Sequence, residues 1–394
     1  MSARAKIRLQ PKHGARLRAG APWVYSNEVA MDKAAKALPP GTIVDVIDAR
    51  DEVMGTGYFS PHSLIAARML SPHGGAKIDE AFFRERFDRA KTLRDRLFKA
   101  PYYRLIHAEA DGCPGLVIDR FDDVFVVQSG TAGMDALKIQ WLAALKAEFS
   151  ARTIIIKSDA PTRAHEGLKD DVDVAHGKET DAIVEEAGVR HTVTPLAGQK
   201  TGWFFDQRMN RAFLIGLSQG ATVLDAFCYT GALGLGAVKA GAKSAVFLDA
   251  SQSALDRCTE TAKSASLADA CEFRRADIME ELDELGPSVE RFDIVSCDPP
   301  PFVRSKKDLE SGARGYRKLA KLSAPLVVPG GLLALSSCSH AIPADRFQQE
   351  CAAGIARAGR NARLIRAAGA APDHPVHPML PETAYLKSLV YQLD

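Results

Sequence analysis

Hydrophobic and polar positions follow two periods along this chain, and the changes of period mark out three stretches. The first stretch alternates with the period of two that suits half-buried strands. Residues 42–48, 53–59 and 64–70 each read as a strand, and the turns Pro39-Pro40-Gly41 and Ser60-Pro61-His62 separate them. An all-β segment this short must close on itself to protect its edges, so residues 1–72 are expected to form a small β-barrel. The run Pro72-His73-Gly74-Gly75 breaks the chain. From residue 79 to 99 the spacing turns helical, with Phe83, Phe87, Ala90, Leu93 and Leu97 on one stripe. A turn at 111–115, a strand at 124–127, a helix at 135–149 and a strand at 153–157 follow, which predicts a small α+β domain over 73–187. After Gly188 strands and helices alternate, the order of an α/β domain with a parallel sheet covered on both faces. Strands are expected at 222–225, 244–249, 271–277, 292–298 and 332–337, and two late ones near 363–366 and 387–392 complete seven. Ser251 is placed to cap the helix after the second of these.

Four consecutive strands of this last domain, 188–394, end in or beside an aspartate: Asp225, Asp249, Asp277 and Asp298. Ligands of open α/β sheets bind beyond the carboxyl ends of the strands, so four such acids converge on one edge. Asp225 leads into Ala226-Phe227-Cys228-Tyr229-Thr230-Gly231-Ala232-Leu233-Gly234, whose glycines let backbone approach a ligand. Asp249 follows about 20 residues later, where an acid can accept from ribose hydroxyls. The turn is not GxGxxG, and a carboxylate heading it would repel a pyrophosphate. It suits instead the cationic methionine portion of S-adenosylmethionine. Asp277 is then positioned for the adenine amino group, with Ile278 against the ring.

Two further segments carry the chemistry. Asp298-Pro299-Pro300-Pro301-Phe302 follows the fourth strand and Ser336-Ser337-Cys338-Ser339-His340 the fifth. The first is similar to the base pocket of nucleic-acid methyltransferases: prolines fix the backbone toward a base edge, and the phenyl ring of Phe302 is able to stack on an extruded base. A cysteine at a strand end is usually a small buried hydrophobe, but Cys338 sits among polar neighbours, one strand over from the proline loop. The C5 carbon of a pyrimidine is too weak a nucleophile to take a methyl group unaided. A thiolate adding to C6 makes an enolate-like adduct whose C5 attacks a methyl sulfonium; a base then removes the C5 proton and the thiolate leaves. Cys297 and Cys228, beside the same edge, read as packing residues.

The run Gly198-Gln199-Lys200-Thr201-Gly202-Trp203-Phe204-Phe205-Asp206-Gln207-Arg208-Met209-Asn210-Arg211, together with DAFCYTGALG, DPPPF and SSCSH, resembles the bacterial large-subunit rRNA cytosine-C5 methyltransferase family. That resemblance covers nearly the whole chain. It implies an N-terminal PUA domain, a central α+β domain and a Rossmann-like, seven-stranded class I methyltransferase domain. It further implies S-adenosylmethionine as cofactor, held by Arg208, Asp225, Asp249, Asp277 and Asp298, with Arg208 pairing the cofactor carboxylate. Phe227, Tyr229, Gly231 and Ile278 are expected to line the cofactor site as well, Cys338 and Asp298 to act in catalysis, and Pro299, Pro300, Phe302 and Arg304 to contact the substrate. Many RNA cytosine-C5 methyltransferases carry a second cysteine after the Pro of this loop. Here Pro301 stands there, which leaves the base for the C5 proton unassigned.

Composition adds little to this picture. With 394 residues, 46% hydrophobic and 25% charged, the chain suffices for two or three globular domains. A net charge of +2 announces no polyanion partner, but Arg4, Lys6, Arg8, Lys12, Arg16 and Arg18 lie together without an acid among them, a cluster able to follow RNA phosphates. Arg304, Lys306, Lys307, Arg314, Arg317, Lys318 and Lys321 form a second basic group. Seven cysteines without CxxC or Cys/His spacing argue against structural zinc and disulfides. No signal-peptide core and no stretch of ~20 apolar residues occurs, so a cytoplasmic protein with no membrane association is expected. Nothing in the residues fixes the oligomeric state, and a homodimer is compatible. Two other functions compete with C5 methylation. Methylation of a purine exocyclic amino group uses an (Asp/Asn)-Pro-Pro-aromatic loop, but Pro301 separates Phe302 from the second proline. A non-catalytic RNA-binding assembly factor would not need the four acids and Cys338.

Overall fold

The alternating runs of the first stretch become three antiparallel neighbours, Thr42–Ile47, Val53–Phe59 and Ile65–Ser71. Strands too short to carry a periodic signal, Ala5–Arg8 and Trp23–Tyr25, take the two flanks of this sheet. The Arg8 carbonyl accepts from the Ala30 N–H, and the Gln10 N–H donates to the Glu28 carbonyl, both at 2.8 Å. These bonds join the flanking segments and close the sheet around Val24, Val44, Val46, Phe59 and Ala67. The computed structural model describes residues 4–198, 200–286 and 289–394; Gln199 of the conspicuous motif lies outside them.

A second five-stranded sheet has the order Asp171–His176, Thr153–Ser158, Val124–Ser129, Leu116–Phe121, Tyr102–His107. The helices Glu80–Leu97 and Lys138–Glu148 share one core with it, built on Phe83, Phe87, Ile118, Phe125 and Trp141. Asp79 caps the first helix by accepting from the Phe82 N–H at 3.1 Å. The helix expected over 135–149 is divided. Ala132–Ala136 is a separate turn, because Leu137 leaves helical geometry at φ −94°, ψ 13°. The strands at 102–107 and 116–121 escape a periodicity reading because charged residues interrupt them. Arg104 and Asp119 neutralise each other across the pair through two hydrogen bonds of 2.8 Å. The chain divides into two compact units, and both of these sheets lie in the first, which comprises the residues up to Ala182 with Val193–Phe205 and Pro372–Pro381.

The second unit comprises Ile183–Thr192, Asp206–Ala371 and Glu382–Asp394. Its seven strands are β1 Thr222–Ala226, β2 Ser244–Asp249, β3 Cys271–Arg275, β4 Phe292–Cys297, β5 Val327–Ser337, β6 Ala362–Ala368 and β7 Lys387–Leu393. They lie in the order β3-β2-β1-β4-β5-β7-β6. The first five are parallel; β7 runs antiparallel to both β5 and β6. The helices are α1 Arg208–Ile215, α2 Ala232–Lys239, α3 Gln252–Ser264, α4 Ile278–Leu285, α5 Leu309–Ser323 and α6 Ala344–Arg357. Successive strand residues point to opposite faces, and both faces are covered. Leu224, Leu248, Val295 and Leu335 pack with Leu282, Tyr316, Leu319 and Phe347 of α4, α5 and α6. Val223, Phe247, Ile294 and Ala334 pack with Leu214, Leu235, Leu255 and Cys258 of α1, α2 and α3. Both faces being buried explains why these strands read as continuous apolar runs. Among the described residues no helix is long and apolar enough to cross a membrane.

Candidate active site

Five parallel strands deliver their carboxyl ends to one edge, and the aspartates arrive there with them. Asp225 is the penultimate residue of β1 and only 5% exposed, and it accepts from the Gly234 N–H of α2 at 3.0 Å. Burial pushes its carboxyl up to about 7. The charges of Asp298 and Asp249 add to that, while the Gly234 N–H and Arg211 hold it back. Asp249 ends β2 and accepts from the backbone N–H groups of Tyr229 (2.9 Å) and Ser251 (2.8 Å). It therefore shapes the loop after β1, where Phe227 and Tyr229 both take positive φ (62° and 52°). Asp277, exposed beyond β3, caps α4 by accepting from Met279 and Glu280 N–H groups. Ile278 faces the core with Leu282 and Leu285. Gly231, at φ 74°, is required by packing: a Cβ there would lie 2.1 Å from the Cys258 sulfur. Its N–H donates to the Cys228 carbonyl at 2.8 Å. An acidic edge in which the charges of Asp298 and Asp249 bear on Asp225 suits a cation and would repel a pyrophosphate. That donor set fits the sulfonium and ammonium of S-adenosylmethionine.

Close to this edge lies a charge network of which a reading of the sequence assigned only Arg208, and that to the cofactor carboxylate. Arg211 of α1 grips Glu186 with two hydrogen bonds, 2.5 and 2.8 Å, and Arg208 approaches the same carboxylate at 3.7 Å. The two arginines hold the Glu186 carboxyl below its usual range despite burial. Asp206 accepts from the Tyr385 hydroxyl at 2.5 Å, and its carbonyl accepts from the Ala371 N–H at 2.8 Å. Asn210 donates to Gln207 at 2.7 Å and to the Gly369 carbonyl at 3.2 Å. The Asp-Gln-Arg-x-Asn-Arg part of the motif thus fastens α1 to segments far away in the chain. Glu186 and Tyr385 carried no signal in the sequence, since single polar residues in short segments have none.

The proline loop and the cysteine loop are tied to each other. The Tyr316 hydroxyl of α5 accepts from the Phe302 N–H at 3.3 Å and from the Ser337 hydroxyl at 2.7 Å. The Ser339 hydroxyl donates to the Val303 carbonyl. Phe302 lays its ring on Tyr316, centroids 4.8 Å apart, and against Gly315, so it seats the loop on α5. Pro299 is buried, Pro300 and Arg304 are exposed, and Asp298 is half-buried just past β4. Cys338 is half-buried at the end of β5. Burial pushes the other six thiols up: Cys297 and Cys113 to about 12, Cys271 to about 11, and Cys228, Cys258 and Cys351 as well.

The N-terminal basic cluster is partly neutralised within its own barrel. Arg4 pairs with Asp45 (3.3 Å), Arg8 with Asp51 (2.5 Å) and Arg18 with Asp48 (2.7 Å). Arg16 lies 5.3 Å from the Tyr25 ring centroid, while Lys6 and Lys12 are exposed. On α5, Arg317 pairs with Glu350 at 2.5 Å, whereas Arg314, Lys318 and Lys321 face outward.

Comparison with known proteins agrees with this geometry. Residues 7–72 match the PUA-like domain family and residues 151–392 the S-adenosylmethionine-dependent methyltransferase family. The ribosomal RNA large subunit methyltransferase I of Pseudoalteromonas atlantica is 37% identical over 98% of both chains. That of Alteromonas mediterranea is 36% identical over 99% of both. Among solved structures, SMU.776 complexed with SAH aligns with a TM-score of 0.83 at 20% identity, covering 98% of this chain and 100% of that one, which speaks for the fold. The chain belongs to the ribosomal RNA large subunit methyltransferase I family and is an S-adenosylmethionine-dependent methyltransferase with an N-terminal PUA-like domain.

Proposed function

We propose that this enzyme methylates C5 of a cytosine in large-subunit ribosomal RNA, with Cys338 adding covalently to C6. The observation that carries the reading is the pinning of the Cys338 loop to the Asp298–Phe302 loop through one phenol, that of Tyr316. A half-buried thiol stands there beside a loop suited to a base, next to the acid-lined edge. S-adenosylmethionine supplies an electrophilic methyl group when bound. Asp225, Asp249 and Asp277 are assigned to holding it, with Arg208, Phe227, Tyr229, Gly231 and Ile278 completing the surroundings. Asp298, between this edge and the thiol, is assigned to both sites. The Cys338 thiol gives its proton to solvent, a sulfur–C6 bond forms, and the C5–C6 π pair moves to C5, which would take the methyl group as its bond to the cofactor sulfur breaks and a neutral thioether is left. A base then removes the C5 proton, the double bond re-forms and the thiolate is expelled.

Residues 1–72 and the outward face of α5 supply candidate phosphate contacts: Lys6, Lys12 and Arg16 on the first, Arg304, Arg314, Lys318 and Lys321 on the second. Residues 73–187 join that barrel to the catalytic residues 188–394. We place the enzyme in the cytoplasm, where bacteria such as those of its relatives assemble their ribosomal RNA into ribosomes. The test is transfer of labelled methyl groups to ribosomal RNA by wild type and Cys338→Ala, with the modified nucleoside identified by mass. Wild type is expected to yield 5-methylcytidine and the variant none, with cofactor affinity near normal. A variant that still methylates would return the proposal to the exocyclic amino group.

A further inference from the structure

Strand β7 runs against β5, and this reversal brings its first residue to the edge where the parallel strands end. Lys387 is that residue, and it pairs in register with Ser337, immediately before Cys338. It is 9% exposed, uncommon for a lysine. Its ammonium donates to the carbonyl of Ser339 at 2.5 Å and to that of Tyr385 at 2.9 Å. The first of these carbonyls belongs to the residue directly after the cysteine, so a buried positive charge lies against the loop that carries the thiol. Burial lowers the proton affinity of Lys387, and the charge of Cys338 opposes that. The other titratable groups around the loop are Tyr316 on α5, Asp298 after β4, and His340 with Tyr385, whose rings lie 5.1 Å apart. Burial pushes the Tyr316 phenol up, and Lys387 brings the ammonium to this group.

We propose that Lys387 is a positioning residue that holds Cys338 as a thiolate and fixes its loop by bonding the Ser339 carbonyl. The inference rests on the assignment of Cys338 as nucleophile and extends it. A cation beside a thiol favours the thiolate and stabilises it again as the leaving group when the adduct collapses. Neither role requires Lys387 to touch the base.

The test is the pH dependence of iodoacetamide alkylation at Cys338, followed by peptide mass spectrometry on the full-length chain. In wild type the midpoint is expected below the ~8.5 of a free thiol. In Lys387→Met, which keeps the stem and removes the charge, the midpoint is expected to rise by about one pH unit or more. Lys387→Arg should keep it low. The pH at which methyl transfer is half-maximal should move with it, whereas a purely structural role would lower the rate at every pH without moving the midpoint. A wild-type midpoint at or above 8.5, or equal midpoints in wild type and Lys387→Met, overturns the proposal. The wild-type measurement stands even where Lys387→Met does not fold. Failure of the nucleophile assignment reads out separately, as methyl transfer that survives Cys338→Ala.

Discussion

Replacing Asp225 with Asn should make the ligand-free enzyme more stable at pH 8 while weakening its hold on the cofactor. Asp225 is 5% exposed, and burial lifts its carboxyl to about 7 from an ordinary value of 3.8. In the unfolded chain the same group titrates near its ordinary value. As pH rises from about 4 to 7 the unfolded chain sheds this proton and the folded one keeps it. Folded stability therefore falls through that window and levels off above it. At 1.36 kcal/mol for each pH unit of difference, the gap corresponds to a ceiling of about 4 kcal/mol. Asn cannot ionise, and its amide oxygen can still accept from the Gly234 N–H, which Asp225 meets at 3.0 Å. Asp225→Asn is thus expected to exceed wild type by about 1–4 kcal/mol at pH 8, with less than half of that advantage left at pH 5. Urea unfolding without cofactor, followed by circular dichroism at each pH, measures the difference. With saturating S-adenosylmethionine the order should narrow or invert, because a bound cation stabilises the ionised aspartate and not the amide. Equal pH dependence in the two proteins, or a variant less stable at pH 8, would refute the reasoning. Such a residue would persist because binding needs it at a cost in stability.

Two other substitutions separate architecture from binding. Asp249→Ala removes the carboxylate proposed to accept from ribose hydroxyls and with it the bond to the Tyr229 N–H at 2.9 Å. Cofactor affinity should drop about tenfold or more, one lost charged hydrogen bond being worth roughly 1.5–3 kcal/mol; calorimetric titration with an unchanged Kd would remove the assignment. Gly231→Ala should destabilise the second unit by about 2–4 kcal/mol, since it combines a positive φ with a Cβ driven into Cys258 and Phe247. An unfolding midpoint equal to that of wild type would show that α3 yields.

Much of the second unit was legible from periodicity because its strands are buried on both faces. β2 is found where it is expected, and β1, β4 and β5 differ from expectation chiefly at their ends, where hydrogen bonding rather than hydrophobicity sets the limit. Ser251 caps α3 through the Ala254 N–H at 3.3 Å, as its type and position imply. The first unit was harder to read. Ala5–Arg8 and Trp23–Tyr25 are too short to show a period, and Arg104 and Asp119 disguise two buried strands by pairing with each other. Phe302 shows a second kind of limit, since an aromatic after a proline loop suits stacking on a base equally with the packing on Tyr316 that it has here.

What the sequence determined by itself is local: where the strands of the seven-stranded sheet lie, that four of them end in or beside an acid, and that a cysteine and a proline loop follow neighbouring ones. Strand ends are local properties, and the parallel order carries every one of them to a single edge. Only the tertiary structure decided what stands across from them. The antiparallel return of β7 brings Lys387 against the cysteine loop, Arg211 finds Glu186 25 residues upstream, and Tyr385 reaches Asp206 across 179 residues. Each is a single polar side chain whose charge or hydrogen bond gains its value from burial beside one partner. No pattern along the chain records that partner, because the fold and not the spacing brings the two together.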